Sequence, residues 1–403
     1  MIVKSMASTL FLVLVLGLTS TAAAAPPPAD PEDPAFDEVI STPAATPRAR
    51  KEQMRERFRR ARPATIAKAS TKTVDCTKGD SLQKAIDNSV DGDTLEVRGL
   101  CNENVKIQRR RLTLHGLDPS TDGIRGVTAT PPVLAALEIW YSDTIRIENL
   151  SISHPDAVGL GLWYSGTEAV NCRMTNNGSH GVHVSAGGFL NGVELTLSDN
   201  AVRGLSVQRG SLAFCLGCRL ENNAFRAAVA STGGLLSLLD SVVTGRLGLL
   251  ATNGSYADID CVTETSPYPC SLNVTDNAGT AVSNSTVAMF GAGPFAGQLI
   301  GSDHGQIYLY GAQQTSTGVG PLGNPRANFC DYFGTLIAEP SVENGLQSLL
   351  KGSTSIGSFS RALLIDSTTI DGTLTCGSGG DAWADAGVTG TVNGCEHAPP
   401  PAP

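Results

Sequence analysis

Two tryptophans and two tyrosines repeat as a block, Ile139-Trp140-Tyr141-Ser142 and Leu162-Trp163-Tyr164-Ser165, 23 residues apart. Aromatic rings stack on the apolar faces of sugars while polar neighbours bond hydroxyls, so such a pair on one surface has the chemistry of carbohydrate recognition. Glu138, His183 and Gln208 fall beside the block on neighbouring repeats and would supply the polar contacts. The carbohydrate-binding set is therefore Trp140, Tyr141, Trp163, Tyr164, His183 and Gln208. A second reading stands beside it: the loop around residues 117–135 packs onto the pair and buries it.

Glu138, Arg173, His183 and Arg219 are the side chains that could act as acid, base or electrophile in a divergent catalytic site. Arg173 and Arg219 alternate with Glu194, Glu221 and Asp240, however, and alternating signs along a stack usually mean cross-strand charge pairing. His154, His180 and His183 lie near Asp156, but ordinary polar histidines explain them more simply than ligation does, and neither a metal nor a cofactor is expected. Cys215 and Cys218 form a CxxC without a βα context or a second CxxC, which favours a structural use. Asn149, Asn177, Asn253, Asn273 and Asn284 head Asn-x-Ser/Thr triplets that matter only in a glycosylating host.

These residues need elements to position them, and a repeat supplies them. Ile152, Met174, Leu197, Leu220 and Val243 recur at spacings of 22, 23, 23 and 23 residues, with Asn176-Asn177, Asp199-Asn200 and Asn222-Asn223 just behind. Leu160/Leu162, Val182/Val184, Leu205/Val207 and Ala228/Ala230 repeat an alternation of period two. Several short strands per unit of about 23 residues fit one turn of a β-solenoid, with inward columns of aliphatics and ladders of Asn at the bends. The 403 residues include 44 glycines, only 5% aromatic and 17% charged residues, which argues against a helical bundle and suits narrow, turn-rich coils. Asp80 is placed to cap a short helix burying Leu82, Ala85 and Ile86, which would cover the open first coil.

The run Cys76-Thr-Lys-Gly-Asp80-Ser-Leu-Gln-Lys-Ala-Ile86, then Gly92-Asp93-Thr-Leu-Glu-Val97, followed by the Asn-rich coils, resembles the right-handed parallel β-helix proteins of the pectate-lyase-like superfamily. The resemblance implies an all-β, right-handed parallel β-helix with a short N-terminal capping helix, and its handedness comes from that resemblance alone. It implies as activities lyases, hydrolases, esterases and epimerases of acidic polysaccharides. The Asn-Thr-Asp and paired aspartates of the hydrolases, the Trp-x-Asp-His of pectate lyases and the Tyr-Gly-Phe-Asp-Pro-His of alginate epimerases do not occur here.

Around this body the chain divides by composition. An apolar run, Leu10 to Leu18, behind Lys4 and before Ala22–Ala25 reads as a signal peptide over residues 1–25. Residues 26–72 are a Pro-rich acidic, then basic linker, 73–396 the β-helix, and 397–403 a tail. Residues 48–72 hold ten Lys or Arg against Glu52 and Glu56, and the body from Thr73 carries −13, so the formal net charge of −9 hides a strong asymmetry. The acidic body disfavours nucleic acid, whereas residues 48–62 could touch acidic envelope polymers. Ten cysteines in an exported chain predict disulfides, with near neighbours suggesting Cys76–Cys101, Cys261–Cys270 and Cys376–Cys395; Cys172, Cys215, Cys218 and Cys330 stay unassigned.

The expectation is thus a secreted, periplasmic or cell-surface monomer that binds an extracellular or envelope polysaccharide along its long face. The alternatives are a divergent polysaccharide lyase or related carbohydrate-active enzyme, and a structural surface or adhesion protein.

Overall fold

Leu160 and Leu162 are fully buried, and so are Val182 and Val184 on the next repeat and Leu205 and Val207 on the one after. A computed structural model of the chain explains this: each repeat is one coil, and its strands pair in parallel with those of the next coil, Leu160 with Val182 and Val182 with Leu205. The structure describes residues 70–245 and 247–261 and, beyond them, the strands to Asn393 together with Ser285 and Cys395. It forms parallel sheets of 14, 12 and 9 strands, here sheets A, B and C, with a further four-stranded sheet made by later strands. A typical coil runs through His180–Ser185 in sheet C, Phe189–Val193 in sheet A and Thr196–Ser198 in sheet B.

Each corner of the coil needs a left-handed residue, and the sequence meets this with stacked columns. Asn176, Asp199 and Asn222 take φ of 57°, 56° and 53° between sheets B and C. Short polar side chains tolerate that region because they bond their own backbone. The partner of each pair turns inward: Asn177, Asn200 and Asn223 are buried. The amide of Asn177 donates to Oδ1 of Asn200 at 2.8 Å, and that of Asn200 to Oδ1 of Asn223 at 2.9 Å. The predicted Asn ladder is present, and it also closes the Asn177 triplet to any sugar attachment.

The first coil is closed as expected by a short helix, Leu82–Asp87, burying Leu82 and Ile86. Its cap differs from the expectation. Ser81, not Asp80, holds the N-cap, because Glu103 of the adjoining coil reaches back to the amides of Leu82 and Gln83 and fixes the Ser81 hydroxyl, while Asp80 accepts from the amide of Asp75. Cys76–Cys101 and Cys376–Cys395 are disulfides, and Cys215–Cys218 closes on itself inside the coil. Cys261 is disulfide-bonded, and Cys270 lies outside the described residues. Cys172 is a buried free thiol whose pKa burial pushes up to about 12, so it is chemically inert at neutral pH.

Candidate functional site

On sheet C the inward positions hold Leu and Val, so every second residue faces away from the core. Pairing aligns these outward residues into columns. One runs Lys106, Glu138, Gly161, His183, Ser206, Val229, Leu250; its neighbour runs Gln108, Trp140, Trp163, Ser185, then Gln208, Ser231, Thr252. The corner that follows is a column of left-handed residues, Arg109, Tyr141, Tyr164, Ala186, Arg209, Thr232 and Asn253.

The aromatic block becomes two stacks side by side. Trp140 and Trp163 lie nearly parallel with centroids 4.5 Å apart, and Tyr141 and Tyr164 with centroids 4.9 Å apart and planes within 4°. Gly161 makes the first stack possible: a Cβ there would stand 2.2 Å from Cη2 of Trp163, so only glycine lets the indole lie back along its own strand. Trp140 is held by its indole N–H donating to Glu138 at 3.1 Å, while the other oxygen of Glu138 accepts from the amide of Leu134 at 2.8 Å. Lys106 covers the far side of Trp140, 5.6 Å from its ring, and His183 lies beyond Trp163 with centroids 6.0 Å apart.

The tryptophan pair is therefore packed along the solenoid axis. Trp163 is 9% exposed and packs with Ala135, Val158, Trp140 and Ala186. Ala135, at the end of the 117–135 segment, takes part in this packing, while Leu117, Val127 and Leu134 are exposed. The tyrosines differ: Tyr141 is 38% and Tyr164 52% exposed. Arg109 sits over the free side of Tyr141 at 5.9 Å, whereas the residue that follows Tyr164 in the corner column is the small Ala186, then Arg209 one coil further. The open aromatic face of the site belongs to Tyr164.

Beside the stacks runs a feature that motif reading missed. His180, Arg203 and Arg226 occupy one register on three successive coils. Arg203 donates to the hydroxyl of Ser206 at 3.2 Å and Arg226 to the carbonyl of Leu249 at 3.3 Å. The Nδ1 atoms of His180 and His183 and Nε of Arg203 are buried without a protein partner. Burial first, then the Arg203 charge and its neighbour His183, lowers the His180 pKa to about 3; burial, then Arg203 and Arg209, lowers that of His183 to about 4. Burial and the Arg203 charge bring Arg226 down to about 10, which leaves it cationic at neutral pH. The 23-residue interval between Arg203 and Arg226 was the available signal.

Of the expected residues, Glu138, Trp140, Trp163, His183 and Gln208 share sheet C, with Tyr141 and Tyr164 at its corner. Arg173 and Arg219 belong to sheet B, a different face, and Arg219 pairs with Glu221 at 2.7 Å. Gln208 donates to the Ser206 hydroxyl at 3.0 Å beside Arg203. His154 turns Nδ1 to the amides of Asp156 and Ala157, away from the other two histidines' column.

Comparison with known proteins agrees with this architecture. Residues 122–243 match the family model described as a right handed beta helix region. No curated protein matches the chain. Similar solved structures include ORF18 of Geobacillus virus E2, at 12% identity and TM-score 0.36, covering 81% of this chain and 61% of that one. They also include the A-module of the Azotobacter vinelandii mannuronan C-5 epimerase AlgE6, at 15% identity and TM-score 0.29, covering 79% and 95%. A third is the alginate lyase of Paenibacillus sp. str. FPU-7, at 11% identity and TM-score 0.25, covering 82% and 99%. The chain spans about three fifths of the length of the viral protein. Its parallel ladders make the described chain a parallel β-solenoid, and its coils over residues 122–243 match the right handed beta helix region.

Proposed function

We propose that the protein binds an anionic polysaccharide along sheet C, with a sugar ring laid on Tyr164 and acidic groups meeting Arg203 and Arg209. The observation that carries this reading is the exposed Tyr164 ring at the end of a rigid aromatic stack, followed by Ala186 where another ring would close it. A ring already fixed by stacking loses little entropy on binding, and an aromatic face presented beside polar groups suits a sugar. The arginine ladder sets the sign of the partner. A partly buried guanidinium is costly unless an anion compensates it, and Arg203 bonds the hydroxyl of Ser206. His183 is neutral at pH 7 and can donate to or accept from a hydroxyl. Disulfides support action outside the cytosol, as a secreted, periplasmic or cell-surface protein.

The test is to measure retention and product release by wild type, Tyr164→Ala and Arg209→Ala on acidic and neutral polysaccharides. Wild type should bind an acidic polymer, and each substitution should weaken binding about tenfold, the loss of roughly 1.4 kcal/mol. Unchanged affinity in both variants would refute the site. Unsaturated chain ends in the products would show that the same face is catalytic, with lyase chemistry.

A further inference from the structure

Past residue 135, the large apolar side chains exposed among the described residues are Tyr141, Tyr164 and Phe225. All three stand at the ends of sheet C strands. Tyr141 and Tyr164 follow Ala135–Trp140 and Val158–Trp163, whereas Phe225 precedes Arg226–Ser231. Phe225 stacks in register with Val202 and Ser179: its amide donates to the carbonyl of Val202, and that of Val202 to the carbonyl of Ser179. A large ring thus stands at the corner of the sheet opposite to that of Tyr164, 49% exposed, with the guanidinium of Arg226 over it at 5.9 Å. Between these corners the face is cationic or neutral. The strands His180–Ser185, Arg203–Gln208, Arg226–Ser231 and Leu249–Thr252 contain His180, His183, Arg203 and Arg226 and no carboxylate. At the middle of the face Arg203 and Gln208 both donate to the hydroxyl of Ser206 and close over it.

We propose that Phe225 is a second aromatic subsite of sheet C, and that one anionic glycan chain crosses the sheet obliquely from Tyr164 to Phe225. This rests on the reading of Tyr164 given above and adds the direction and the length of the ligand. The two rings lie three strand spacings apart, about 14 Å, and at opposite ends of six-residue strands, about 20 Å, so the path between them is about 25 Å. A disaccharide meets one ring only, whereas an octasaccharide reaches both. On the way the chain passes His183, which bonds hydroxyls, and Arg203, which pairs with an acidic group. Each ring offers a face for a sugar to stack on, and the cations between them read the sign of the chain. Two subsites held on one rigid sheet make the second contact intramolecular, which raises the affinity of a long chain over that of a short one. The face then selects stretches of intact polymer over its small fragments.

The full chain tests this by calorimetric titration with disaccharides and octasaccharides of galacturonate, of mannuronate and of heparin. Wild type should bind at least one octasaccharide, and about tenfold more tightly than the matching disaccharide. Phe225→Ala should remove that advantage and Phe225→Trp should keep it, while both variants melt as wild type does because the ring is exposed. Tyr164→Ala should weaken the octasaccharide as well. An octasaccharide affinity that Tyr164→Ala lowers and Phe225→Ala leaves unchanged would overturn the oblique path and leave the Tyr164 site standing. Equal affinity of wild type for the two lengths would do the same. Failure of wild type to bind any of the octasaccharides, or binding that Tyr164→Ala leaves intact, would instead overturn the reading on which the path rests.

Discussion

His180 and His183 show what a single side chain contributes once its coil is stacked. Both are held neutral by burial and by Arg203, with pKa values near 3 and 4 against an ordinary 6.5. Between those values and 6.5 the unfolded chain binds protons that the folded chain refuses, so stability falls with acidity across that window and is fully present above it. The melting temperature should therefore drop between pH 6.5 and pH 4, and the double variant His180→Gln, His183→Gln should flatten that part of the profile; an unchanged slope would mean that the imidazoles protonate freely in place. Which residues share a column was legible in the sequence, since alternation and the 23-residue spacing fix the register of Glu138, Trp140, Trp163 and Gln208. The direction of the rings was not. The close approach of Trp163 to Gly161 lays the indole back along its strand, and stacking on Trp140 of the adjoining coil buries it, which leaves the open aromatic surface to Tyr164. Side-chain direction and stacking across coils are not encoded in a linear pattern.

At the scale of elements, the corners carry as much of the structure as the strands. Asn200 accepts from the amide and side chain of Asn177, and its own side chain donates to Asn223 and to the carbonyl of Met174. Asn200→Ala removes these bonds and leaves buried groups unpaired, at an expected cost of about 2–4 kcal/mol, read as a lower denaturation midpoint. If the midpoint holds, the aliphatic columns alone set the coil. The ladder was legible because its Asn residues recur with the coil. The helix cap was not, because Glu103 lies a coil away from the amides it satisfies and no local pattern links it to Ser81.

For the whole molecule, one set of coils presents three faces of different chemistry. Sheet C holds aromatic stacks and cationic residues, sheet B alternates charges, and sheet A carries solvated ion pairs on its early coils. The net charge of −9 conceals the local excess of arginine on sheet C, the proposed binding face. A body that is acidic overall would repel an acidic polymer at long range, so recognition must come from short-range contacts with Arg203, Arg209 and Tyr164. The most direct measurement is the mobility of the full chain in native gels containing an acidic polysaccharide, against gels containing a neutral one. The account predicts retardation by the acidic polymer, weakened by salt and lost in Tyr164→Ala, with little retardation in the neutral gel. Equal mobility in both gels, or retardation that Tyr164→Ala leaves intact, would contradict it.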